Sequence, residues 1–173
     1  MCREPSVNVQ MFTLSRAYGV GDKTLIPMPK VASSSIDIVM SDYSIDVRKA
    51  TGKIATFVRN PYDRLISAYE SFWSGLSFNH FMSQLIEHGS ADVHLKRQTD
   101  LISPDWFGRL ESFSEDWSKC CKWLGIEHRP MPHMNASRRK PMSAYYKTPD
   151  SVDWVTNYYA ADFIAYGYSH GIS

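Results

Sequence analysis

Cysteine is scarce in this 173-residue chain: Cys2, Cys120 and Cys121 are the only three, and two of them are sequence neighbours. Thiols this few and so spaced make no disulfide framework, and adjacent cysteines bridge only with strain. They read as reduced thiols. Excess charge of either sign is also missing. Nineteen Lys and Arg against eighteen Asp and Glu leave a formal net charge of +1, so no global basic field draws the chain to nucleic acid or to an anionic membrane, and any anion site must be local. No apolar run approaches the roughly 20 residues that span a bilayer. Met1-Cys2-Arg3-Glu4-Pro5 opens no signal-peptide core. These absences predict a soluble, cytoplasmic protein without a nucleic-acid or membrane partner. Repeats and low-complexity tracts are lacking, and His128 and His133 near Cys120 and Cys121 match neither zinc-finger nor HExxH spacing. No metal site is expected.

What remains is ordinary globular composition, 43% apolar and 21% charged, of a length that suits one domain over residues 1–173. Lys53–Val58 is the clearest strand, a near-continuous apolar run of the kind covered on both faces, and a central position follows for it. Thr24–Met28 is a second strand, marked as an end or edge by Pro27, and Asp105–Leu110 a third. Ile36–Met40 predicts one or two helical turns begun by a serine cap. After Lys53–Val58, Asn60 suits an N-cap and Pro61 the first helical position, with Ser67 near the start of that helix. Phe78–His88 predicts a helix stopped by Gly89, and Ser112 to Glu115 has capping-box spacing before a helix that Gly125 ends. Residues 128–146 look like a loop, and Thr148-Pro149 starts a last helix running through Phe163. Alternating strands and helices predict the α/β class, with a central, mostly parallel sheet flanked by helices. Ligands of such sheets bind beyond the carboxyl ends of the strands, where Lys30 and Arg59 fall.

Two segments carry chemistry. Pro29-Lys30-Val31-Ala32-Ser33-Ser34-Ser35 combines a cation, small residues and hydroxyls at a predicted helix start, a composition suited to an oxyanion. It lacks GxxxxGK[ST], which argues against a kinase-like enzyme. In Val58-Arg59-Asn60-Pro61-Tyr62-Asp63-Arg64-Leu65-Ile66-Ser67, an arginine at a strand's end and a serine two helical turns on can grip one phosphate together.

In this order the two segments resemble the 5′-phosphosulfate loop and the 3′-phosphate motif of sulfotransferases that use 3′-phosphoadenosine 5′-phosphosulfate, PAPS. Asp92 to Gln98 resembles the HWxPQ segment of the chondroitin and dermatan type of carbohydrate sulfotransferase. Phe107-Gly108-Arg109-Leu110-Glu111 resembles a glycine-basic-aromatic-glutamate strand, Pro132 to Ser137 an HxNAS stretch, and Tyr159 to Tyr168 the closing helix and tail. The likeness covers about residues 24–168. It implies a P-loop-like three-layer fold and metal-free transfer of a sulfuryl group from PAPS to an acceptor hydroxyl, expected on a saccharide. By the resemblance Lys30, Val31, Ala32, Ser33, Ser34 and Ser35 hold the phosphosulfate, Arg59 and Ser67 the 3′-phosphate, and Arg138, Arg139 and Lys140 close over the cofactor. Lys30 is also expected to stabilise the leaving charge.

The chain departs from the pattern in two places. Leu95 and Arg97 stand where the family carries Trp and Pro, and only 17 residues separate Ser35 from Lys53, where relatives insert more. His94 is the favoured base, histidine being the residue type suited to that role, with Asp37, Asp42, Asp46, His80 and His88 as alternatives. The short segment leaves a second reading open, an interaction module that keeps the nucleotide pocket without catalysis, or an acceptor half completed by a second subunit. Golgi relatives carry a membrane anchor, so a bacterial or viral cytoplasmic source is favoured over an excised luminal domain.

Overall fold

The computed structural model describes Leu14, residues 16–132 and residues 140–172. Five strands, β1 (Ala17–Val20), β2 (Lys23–Leu25), β3 (Ser44–Ile45), β4 (Lys53–Val58) and β5 (Trp106–Arg109), form one sheet in the order β3-β1-β2-β4-β5. With them are α1 (Ser33–Val39), α2 (Pro61–Phe72), α3 (Phe78–His88), α4 (Gln98–Leu101), α5 (Phe113–Leu124), α6 (Pro149–Tyr158) and α7 (Ala160–Tyr166). The apolar run of β4 lies inside the sheet, parallel to β2 and to β5. β1 is antiparallel to β2 and to β3, so it alone runs against the other four. The architecture is α/β, a mostly parallel sheet flanked by helices.

Several elements differ from expectation in their local chemistry. β1 and β3 are too short to show a period, and the Gly21 turn, at φ +59°, folds β1 back onto β2. α1 begins at Ser33 with the left-handed Ala32 as its N-cap, and no serine side chain caps it. Ser112 does precede α5, but no side chain closes a capping box there: its hydroxyl donates to Asp116 Oδ2 at 2.7 Å. The last helix breaks at Tyr159 into α6 and α7. Asn60 and Pro61 open α2 as expected, and Asn60 Oδ1 accepts the Tyr62 N–H at 2.9 Å. Ser67 stands mid-helix rather than near its start.

Two buried clusters hold these elements. Leu25, Ile36, Phe57 and Trp117 join the sheet to α1 and α5, while Tyr62, Leu65, Phe81, Val155 and Phe163 join α2, α3, α6 and α7. β5 fits the first cluster because Gly108 has no side chain: a Cβ there would stand 2.5 Å from the Phe57 ring. Cys120 and Cys121 are buried in the same cluster, and burial pushes both thiols up, the environment of inert structural cysteines.

Candidate active site

The carboxyl ends of the parallel strands β2, β4 and β5 open into a cleft of about 390 Å³. Its walls take Lys30, Ser33, Ser34 and Ser35 from the segment after β2, Arg59 from the end of β4, Ser67 from α2, and His94. Lys30 and Ala32 adopt φ of 68° and 51°, and among the described residues no other non-glycine residue has positive φ. Such backbone costs energy and persists only where surrounding structure enforces it. Lys30 Nζ donates to Ser71 Oγ at 2.5 Å and lies 5.0 Å from the Phe72 ring centre, so α2 receives the ammonium. Val31, expected at the cofactor, does not put its side chain on the cleft wall. Its side chain is fully buried in the core and its N–H donates to the Met28 carbonyl at 3.2 Å, so it anchors the loop and does not line the cleft.

Arg59 is fixed by its backbone. Its N–H donates to Gln98 Oε1 and its carbonyl accepts from Gln98 Nε2, both at 3.0 Å, a two-point grip by one buried amide. The guanidinium stands 4.0 Å from Asp63 Oδ1. Gln98 is held in turn by Asp162, itself completely buried, whose carboxylate accepts the Gln98 and Thr99 N–H groups at 2.9 Å and the Thr99 hydroxyl at 2.8 Å. Asp162 thereby caps α4 from α7.

His94 separates this cleft from a neighbouring one of about 370 Å³, which shares Ser33, Ser34 and His94 and adds Arg16 and Asp37. Its Nδ1 pairs with Asp92 Oδ1 at 2.8 Å, and its ring centre lies 4.5 Å from that of Phe72. A ring whose Nδ1–H is donated to a carboxylate keeps Nε2 as the atom that takes a proton. Asp37 accepts the Tyr18 hydroxyl at 2.5 Å on one oxygen and meets the Arg16 guanidinium with the other. The remaining candidate bases lie elsewhere. Asp42 pairs with Arg129 at 3.2 Å. Asp46 holds Arg48, whose hydrogen bonds draw the carboxyl down to about 2. His80 meets Gln84 on the outer face of α3, and His88 ends that helix.

The sequence profile of the sulfotransferase family matches residues 28–169. The chain belongs to that family. A solved sulfotransferase from Alicyclobacillus acidocaldarius is similar at 21% identity over 65% of this chain and 52% of that one, with a TM-score of 0.40; the chain thus spans about half of that protein's length. No curated protein matches it in sequence. Among the described residues of this family member no helix is long and apolar enough to cross a membrane, and no three His, Cys, Asp or Glu side chains gather as metal ligands would.

Of the basic triplet assigned to the cofactor, Arg138 and Arg139 lie outside the described residues, as does His133 to Ser137. Lys140 is described, and it lines a separate cleft with Glu70, Tyr145 and Lys147. The chain is led there by Tyr145, bonded to Glu70, and Tyr146, whose hydroxyl donates to the Tyr62 carbonyl at 2.9 Å. Segments far apart in the sequence meet beside the cleft. Glu111 accepts the Asn60 N–H at 2.7 Å and the Tyr168 hydroxyl at 2.9 Å, and Arg109 donates to the Tyr166 carbonyl at 2.5 Å. Sequence reasoning missed Arg64, Ser71 and Asp162 as parts of this site. Arg64 and Ser71 had a faint signal, since each lies one helical turn from Ser67 or closer on α2.

Proposed function

We propose that this chain transfers a sulfuryl group from PAPS to a hydroxyl of a saccharide acceptor. The observation that carries this reading is the single cleft that gathers two cations, four serines and an imidazole at the ends of three parallel strands. A nucleotide with a 3′-phosphate and a 5′-phosphosulfate needs two anion grips, and the chain offers two. Arg59 with Ser67 suits the phosphate, and Lys30 with Ser33, Ser34 and Ser35 suits the phosphosulfate. When bound, PAPS supplies an already electrophilic sulfur, so the protein's share is positioning and charge stabilisation, as in phosphoryl transfer.

The residues divide that work. Lys30 carries a positive charge on a mobile stem beside the serine hydroxyls, where it offsets negative charge that develops on a departing phosphate oxygen. His94, oriented by Asp92, accepts the acceptor's proton at Nε2. The neighbouring cleft, with Arg16 and Asp37 on its wall, offers the polar surroundings that a polyhydroxylated acceptor needs.

Calorimetric titration with adenosine 3′,5′-bisphosphate tests the reading. One molecule is expected to bind per chain, with affinity falling about tenfold or more in Arg59→Ala, since hydrogen bonds to charged groups contribute about 1.5–3 kcal/mol. Labelled sulfate is expected to reach a saccharide pool with the wild-type chain and not with Lys30→Ala. No binding would sink the proposal. Binding without transfer to any acceptor would favour the interaction module instead.

A further inference from the structure

Arg64 is the one cation of α2 that the proposed chemistry leaves unused, and it is only 1% exposed. Its guanidinium donates through Nε to the Pro29 carbonyl at 3.1 Å, and through its terminal nitrogens to the Lys96 carbonyl at 2.7 Å and the Val93 carbonyl at 3.5 Å. Pro29 immediately precedes Lys30, whose backbone is left-handed. Val93 and Lys96 bracket His94. One rigid fork therefore bonds the segment that carries the ammonium and the turn that carries the imidazole.

The energetics argue against a filler role. Burying a guanidinium is costly, and an apolar side chain of similar volume often stabilises a core more. What such a group offers that methionine or leucine does not is five donors in a fixed plane. Here these reach carbonyls of two irregular segments, whose buried polar groups need partners. Asp162 compensates the charge at longer range. A lysine could place one donor head in the same volume but could not reproduce the fork.

Accepting the sulfuryl-transfer reading, we propose that Arg64 is a positioning residue: it sets the Lys30 loop and the His94 turn at a fixed separation across the cleft. Arg59 is held by Gln98 rather than by Arg64, so the grip proposed for the 3′-phosphate keeps its own anchor in the variants. In Arg64→Lys and Arg64→Met, kcat is expected to fall about tenfold to hundredfold, the usual cost of misplacing reacting groups. The dissociation constant for adenosine 3′,5′-bisphosphate is expected to move far less.

Amide hydrogen exchange on the ligand-free protein supplies a readout that does not depend on activity. Exchange in residues 28–35 and 92–97 is expected to rise together by about ten- to hundredfold in the variants, given the charged hydrogen bonds lost, while β4 stays protected. A folded Arg64→Lys variant with wild-type exchange in both segments, or with unchanged kcat, would overturn the proposal. Should the variants not fold, native-state exchange of the wild-type chain in rising denaturant decides instead. The two segments should open as one unit, and independent opening refutes the link. A wild-type chain that binds no bisphosphate would defeat the proposed function, while the exchange data would still judge Arg64.

Discussion

Ala32 pays for its place with a left-handed backbone at φ 51°, two residues from Lys30 at φ 68°. Non-glycine residues there lose about 1–2 kcal/mol relative to their right-handed conformation. Ala32→Gly is expected to raise stability by about 0.5–1 kcal/mol, the relief less the extra freedom of the unfolded chain. Urea unfolding measures it, and a lowered midpoint would show that the loop is not strained. Residues of this kind explain what could and could not be read from the sequence. That Lys30, Ser33, Arg59 and Ser67 share one cleft was legible because each stands just beyond a strand or on the next helix. Arg64, Gln98 and Asp162 act through partners between 29 and 64 positions away, and nothing in local spacing announces such a partner. Val31 stands apart from its neighbours because a loop that exposes some of its residues must bury others to stay in place.

At the level of elements, β5 and α5 are joined through Asp116. Its carboxylate accepts the Arg109 N–H at 2.9 Å, the Ser112 hydroxyl at 2.7 Å and the Lys119 ammonium at 3.1 Å. Burial raises its pKa, but these hydrogen bonds together outweigh that and hold it below the usual aspartate value. A carboxyl depressed in the folded state stabilises above its unfolded pKa of about 3.9, and that contribution fades as pH falls through the lower folded value. Asp116→Asn is therefore expected to destabilise by about 1–3 kcal/mol at pH 7, with the gap to wild type closing toward pH 3. Urea midpoints at the two pH values check it, and a gap independent of pH would refute it. The same junction shows why the capping box was misjudged. Ser112 has the right type and spacing, but a carboxylate one turn on competes for its hydroxyl. β4, α2 and α3 were legible because each combines one period with its own start or stop signal, whereas two-residue β3 offers none.

Across the whole molecule, the cleft is a meeting of distant parts. Asp162 on α7 steadies Gln98, Gln98 steadies Arg59, and Glu111 ties Asn60 to Tyr168. Asp162→Asn replaces an acceptor with a donor opposite the Gln98 or Thr99 N–H, and leaves a buried group unsatisfied. The expected results are a loss of about 1–3 kcal/mol in stability and weaker bisphosphate binding, measured by melting and calorimetry on the same sample. Wild-type affinity in the variant would show that Arg59 is held without α7.

That arrangement also bears on how the chain is made. Translation delivers Lys30, Arg59 and Ser67 first, and by then none of Gln98, Glu111 or Asp162 exists. Contacts that span such distances close late and slow the search for the native state. A nascent chain thus carries Arg59 before the Gln98 amide that fixes its backbone exists. The cleft is complete only when the chain's far half docks.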